Sequence, residues 1–148
     1  MFTQPIIGFK KLHELAQLPV YTTAGAAGAD VRAVEDAVLM NGERLLVRTG
    51  LGCDIPAGWE LQVRPRSGLA FKNGITVLNA PGTIDSDYTG ELCVLLMNHS
   101  DRMFMINAGD RIAQIVVAPV TQGDFTWSAE ASRTTGRDAA GFGSSGVK

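Results

Sequence analysis

Asn79-Ala80-Pro81-Gly82-Thr83-Ile84-Asp85-Ser86-Asp87-Tyr88-Thr89-Gly90-Glu91 places a carboxylate and an aromatic ring inside a turn-rich bend between two apolar runs. Pro81-Gly82 breaks the strand that ends near Asn79, and the apolar run 92–97 resumes extended structure. The segment therefore reads as a hairpin with Asp85 and Tyr88 at its bend, where both side chains can be aimed at a ligand. The competing reading is an ordinary polar hairpin, in which Asp, Ser and Gly serve only as turn formers.

The same grammar runs outward along the chain. Ile6-Ile7-Gly8-Phe9, Val20-Tyr21-Thr22, Leu45-Leu46-Val47-Arg48-Thr49, Trp59-Glu60-Leu61-Gln62-Val63, Ile75-Thr76-Val77-Leu78, the run 92–97, Met103-Phe104-Met105-Ile106 and the run 112–117 are short apolar stretches. Asn41-Gly42, Pro56-Ala57-Gly58, Asn73-Gly74 and Ala108-Gly109-Asp110 punctuate them. Many short strands divided by regular turns predict an all-β sandwich, barrel or jelly roll. Helical turns are expected only at 11–18 and 67–72, too short to make an α/β chain.

With 148 residues, the chain fits one domain that can bury roughly 70% of its unfolded surface. Its 45% hydrophobic and 19% charged residues are those of a globular protein. No apolar run approaches the ~20 residues of a membrane span, and Met1-Phe2-Thr3-Gln4-Pro5 lacks the pattern of a secretion signal, so a cytoplasmic location is expected. The net charge of −2 argues against a broad nucleic-acid surface. Cys53 and Cys93 form no C-x-x-C pair and no cluster with His13 or His99, so neither a zinc site nor a redox motif is expected.

Three further places carry chemistry. In Pro65-Arg66-Ser67-Gly68-Leu69-Ala70, Pro65 ends a strand, Ser67 can cap a short helix, and free N–H groups beside Arg66 make an anion site; the alternative is a plain helix cap. Asp30 sits among small residues, Gly28 and Ala29, that admit close approach, and can also be a turn acid. From Ser128 onward the only large apolar side chains are Phe142 and Val147, so residues 128–148 cannot anchor themselves by burial. There Arg137 and Phe142 stand among glycines, as either a frayed end or an arm whose guanidinium takes phosphate and whose ring stacks on a base.

Taken in order, the segments 27–33, 64–75, 79–91, 109–116 and 136–146 closely resemble the five motifs of the homotrimeric deoxyuridine triphosphate nucleotidohydrolases, the dUTPases. The resemblance implies a distorted β-barrel or jelly roll over residues 1–127, with one short helix and a flexible glycine-rich arm over 128–148. It implies a homotrimer acting on dUTP with Mg²⁺, and no nucleic-acid or membrane partner. Asp85, rather than Asp87, matches the residue that activates water. Arg66, Ser67, Gly68 and Gln114 match phosphate contacts; Asn79, Thr83, Ile84, Asp85 and Cys93 line the base pocket; Tyr88 lies under the sugar; Arg137 and Phe142 belong to the arm. Asp30 is expected to steer the metal through water, since Mg²⁺ favours phosphate oxygens and waters. Arg111 is expected either to organise the site or to hold an interchain salt bridge.

Two other functions stay open. A deoxycytidine triphosphate deaminase shares the hairpin and arginine-serine motifs, but its deaminating carboxylate would fall on Leu95, an apolar residue. A non-catalytic nucleotide sensor is the other. The arm departs from the family pattern where Asp138 and Ala140 replace glycines and Ser145 replaces threonine.

Overall fold

A computed structural model gives the fold; it describes residues 4–128 and 135–147. Eleven elements follow in chain order: β1 (Gly8–Lys11), β2 (Ala29–Arg32), β3 (Ala37–Leu39), β4 (Arg44–Asp54), β5 (Trp59–Arg64), α1 (Ser67–Asn73), β6 (Ile75–Val77), β7 (Gly82–Ile84), β8 (Glu91–Asn98), β9 (Phe104–Ile106) and β10 (Arg111–Pro119). One four-stranded sheet has the order β1-β4-β8-β6, a second has β2-β10-β5-β7, and β3 pairs with β9 alone. The result is a jelly-roll-like β fold with one short helix. None of the described residues form a helix long and apolar enough to cross a membrane.

Alternation builds the core. In β8, Leu92, Val94, Leu96 and Asn98 point inward, while Glu91, Cys93, Leu95 and Met97 face out. Leu61, Ile75, Leu92, Leu96 and Ile112 are almost wholly buried, each worth about 1.5–3 kcal/mol against exposure. Asn98 is buried but satisfied: its amide donates to the Leu39 and Arg102 carbonyls at 3.1 and 2.7 Å and accepts from the Ser100 N–H at 2.9 Å.

The opening stretch is more than a hairpin. β6 and β8 do pair antiparallel, with Val77 opposite Leu96. Between them the chain leaves for the other sheet, where β7 pairs with β5, Gly82 opposite Val63 and Ile84 opposite Leu61. The Ala80–Pro81 peptide within this crossing is cis. Asp85 thus directly follows a strand of the second sheet, and Glu91 begins one of the first.

Three local expectations need correction. Residues 11–18 form no helix: after β1 the chain turns, and the Leu12 N–H bonds the Gly50 carbonyl at 2.8 Å, tying the segment to β4. Val20-Tyr21-Thr22 is no strand but a single bridge from Val20 to Asp30. In α1 the capping position is held by Arg66, without a side-chain bond, and Ser67 is the first helical residue, not the cap.

Candidate active site

β7 and the return into β8 build a cavity of about 370 Å³, within the range of ligand sites. Asn79, Gly82, Thr83, Ile84, Tyr88 and Cys93 are in its wall, and so are Val63, Leu46, Glu91, Leu92 and Leu95. Ile84 is buried, and Asp85, next along the chain, is exposed. The Tyr88 N–H donates to the Asp85 carbonyl at 3.1 Å, closing the turn that holds the two side chains close in the chain. The Tyr88 hydroxyl donates to the Glu91 carbonyl at 2.7 Å. This folds its ring over Gly90, where a Cβ would stand 2.5 Å from that hydroxyl.

A second group gathers around Asp30. Register places Gln114 of β10 between Asp30 of β2 and Arg64 of β5. The Asp30 carboxylate accepts from Arg66 Nε at 3.2 Å and from Arg111 Nη1 at 3.3 Å. Arg66 also donates to the Arg111 carbonyl at 3.1 Å. Gln114 donates to the Pro65 carbonyl at 2.8 Å, and its carbonyl oxygen lies where a Cβ on Gly28 would be, so any side chain at 28 would displace Gln114 from this position. Arg111 is therefore engaged within its own chain. Ser67 and Gly68 follow Arg66 and are exposed.

No residue of the Asp30 group is in the wall of the cavity. The described part of the arm stays open as well: Phe142 is fully exposed and Arg137 donates to the Ala140 carbonyl at 2.9 Å. Asp138 and Phe142 adopt left-handed backbone conformations, with φ of 44° and 49°. Residues 129–134 and 148 of the expected arm, and Met1-Phe2-Thr3 of the N-terminus, lie outside the described residues.

A metal held by protein ligands alone does not fit the described residues. Among the described residues no three His, Cys, Asp or Glu side chains come together to hold one. Each Asp30 oxygen takes one N–H donor and keeps a lone pair for a water. That donor set suits an ion carried on phosphates and touched through water.

Burial is the first cause of perturbed acidity beside the cavity. It pushes the Cys53 thiol up to about 11, with neighbouring Cys93 adding to it. It also raises Cys93, with Glu91 adding to it, and the Tyr88 hydroxyl. Both cysteines are free.

Sequence reasoning missed Glu91 as more than the end of a hairpin. Its carboxylate accepts from Arg48 Nε at 3.1 Å and from the Gly50 N–H at 2.7 Å, and Arg48 reaches on to Glu35 at 2.7 Å. These bonds raise the Arg48 pKa, the hydrogen bond to Glu91 most of all. The signal was an acid placed where β8 begins to alternate, on its outward face.

A family model described as dUTPase matches residues 14–146. Proteins named deoxyuridine 5'-triphosphate nucleotidohydrolase resemble the chain over nearly its full length. That of Nautilia profundicola is 56% identical over 93% of this chain and 96% of its own. That of Chlamydia pneumoniae is 54% identical over 94% of this chain and 97% of its own. Among solved structures, Staphylococcus bacteriophage 80alpha dUTPase with dUpNHpp superposes with a TM-score of 0.88 at 26% identity, covering 96% of this chain and 99% of that one. A mutant dUTPase from phage phi11 of S. aureus, described with a structural Mg(II) ion, shares the fold with a TM-score of 0.79 at 23% identity, covering 86% of this chain and 99% of that one. With four of the five ordered motifs on two folded clusters and a family match spanning almost the whole chain, this protein belongs to the dUTPase family.

Proposed function

We propose that the chain hydrolyses dUTP to dUMP and pyrophosphate, with Asp85 as the base. The observation that carries this reading is the cavity walled by Asn79, Thr83, Ile84, Tyr88 and Cys93, with the exposed Asp85 immediately after Ile84. A water oxygen bonds to the α-phosphorus and its proton passes to the Asp85 carboxylate. The bond from that phosphorus to the bridging oxygen breaks, and its electron pair leaves on pyrophosphate. Arg66, Ser67, Gly68 and Gln114 hold the triphosphate, and Asp30 orients the two arginines and would hold Mg²⁺ through water. Mg²⁺, when bound, neutralises charge on the phosphates and on the leaving group. Turnover keeps uracil out of DNA and supplies dUMP for thymidylate synthesis, in the cytoplasm.

Base choice follows from hydrogen bonding. Uracil offers acceptors and one N–H donor, which strand backbone groups and the Asn79 amide can match. Cytosine sets two donors against each other, and leaving them unpaired can cost a factor of about 10⁴. Tyr88 beneath the sugar excludes a 2′-hydroxyl. Leu95, at the position where a deaminating carboxylate is expected, is in the cavity wall and carries no carboxylate.

Within one chain the cavity and the Asp30 group remain apart, which supports a site shared between subunits of a homotrimer. Past β10, Phe125 and Trp127 are almost wholly exposed, and an apolar groove of about 820 Å³ runs beside Ile7, Phe9, Leu18, Ile115 and Val117. Both are surfaces an assembly would cover. The arm from residue 128 then closes over the nucleotide through Arg137 and Phe142. Asp85→Asn tests the mechanism: kcat on dUTP should fall by about 10² to 10⁴, and a loss within about threefold would remove Asp85 from the role.

A further inference from the structure

Tyr88 is held by the Gly90–Glu91 segment of chain, and that segment is itself held. Its Gly90 carbonyl accepts from the Cys53 N–H at 2.9 Å, and the Glu91 carbonyl accepts from the Tyr88 hydroxyl at 2.7 Å. The segment meets β4 where the pairing with β8 slips between Arg48 and Gly52. A slip of this kind leaves ladder N–H groups without strand partners. The Gly50 N–H is one of them, and the Glu91 carboxylate takes it at 2.7 Å while also binding Arg48 at 3.1 Å. With its side chain only 19% exposed, Glu91 is shielded enough for these charge-assisted bonds to hold.

We infer that Glu91 is a positioning residue for sugar selection: its carboxylate locks the start of β8 onto the irregular stretch of β4, so that its own carbonyl fixes the Tyr88 ring. Glu91 has no part in the chemistry at phosphorus. Loosening it lets Tyr88 swing from the cavity wall, which relaxes the exclusion of a 2′-hydroxyl and weakens the seating of deoxyribose. The inference rests on the reading of Tyr88 as the residue beneath the sugar.

The test compares kcat/KM for dUTP and UTP in wild type, Glu91→Ala, Glu91→Gln, Tyr88→Phe and the Glu91→Ala/Tyr88→Phe double variant, with thermal unfolding of each. Glu91→Ala should lower the dUTP-to-UTP ratio by about three- to tenfold, the worth of one lost hydrogen bond. Its kcat at saturating dUTP should stay within about threefold, because the base is untouched. Glu91→Gln keeps an acceptor for Gly50 and should recover the ratio to within about twofold. The double variant should lose no more selectivity than Tyr88→Phe alone, since both break one linkage. A ratio that holds in Glu91→Ala while its melting temperature falls would make the residue merely structural, and additive losses in the double variant would overturn the inference equally. Should Glu91→Ala fail to fold, Arg48→Met loosens the same clamp from β4 and is judged by the same ratio. A wild type that turns over dUTP and UTP alike would sink the sugar reading itself, an outcome distinct from selective wild type with unaffected variants.

Discussion

Removing the Asp30 side chain is the perturbation that separates its two possible roles. Asp30→Ala deletes two charge-assisted hydrogen bonds, at 3.2 Å to Arg66 and 3.3 Å to Arg111. Such bonds contribute about 1.5–3 kcal/mol each when shielded. The aspartate side chain is 13% exposed, but those of Arg66 and Arg111 are 27% and 42% exposed, so solvent screening brings each bond to about 1–1.5 kcal/mol. A total of about 2–3 kcal/mol follows, and at roughly 3 °C per kcal/mol for a chain of this size the melting temperature should drop by about 6–9 °C. Arg66 keeps only its bond to the Arg111 carbonyl, so KM for dUTP should rise by about tenfold, as expected when a phosphate clamp loses its orientation. Asp30→Asn retains one acceptor and should show about half the thermal loss. Calorimetry and steady-state kinetics across a Mg²⁺ titration make the assay. A melting temperature unchanged within about 1 °C, with turnover restored by excess Mg²⁺, would refute the arginine-clamp reasoning and leave Asp30 to the metal alone.

Gly28→Ala puts a methyl group onto the Gln114 carbonyl oxygen; Gln114 must leave the Pro65 carbonyl, and KM for dUTP should rise by about three- to tenfold with little change in kcat. Wild-type kinetics from this variant would remove Gln114 from substrate contact. The Cys53 thiol, pushed up from 9.0 to about 11, predicts a pH effect on stability. The folded chain holds its proton longer than the unfolded chain does, so the contribution is complete below about pH 9 and is lost as pH rises toward about 11. Urea midpoints at about pH 8 and about pH 10.5 should diverge less in Cys53→Ala than in wild type, and equal divergence would dismiss the thiol. Asp138→Gly relieves a left-handed backbone at φ 44° and removes a negative charge from the arm; KM should fall by up to about fivefold, and a rise would count against the arm closing as proposed.

Legibility followed sequence separation. β8 could be read because residues 92–97 are one unbroken apolar run, and α1 because Gly74 ends it one residue past Asn73. β4 was read only as far as Thr49, since Gly50 and Gly52 look like punctuation, yet the strand continues to Asp54 through the slipped pairing with β8. β7 is three residues long and its hydrogen bonds go to β5, so no local pattern announces it. Residues 11–18 have an amphipathic spacing, but one turn cannot nucleate a helix on its own, and contact with β4 decides its path. The site divides the same way. Asp85 and Tyr88 stand three residues apart and were visible together. Asp30 meets arginines 36 and 81 positions away, a distance at which only folding reveals the clamp.

The crossing from β6 through β7 to β8 threads one short run of chain through both sheets, and the cavity proposed for the nucleotide lies on that thread. A molecule seated there touches Val63 and Ile84 on one layer and Leu92 and Leu95 on the other, so it acts as a rivet through two plates. Sliding of the layers changes the width of the cavity, and filling the cavity resists the slide. Occupancy should therefore stiffen regions far from the phosphates, and amide protons along the outer edge of each layer would register the arrival of substrate through slower exchange.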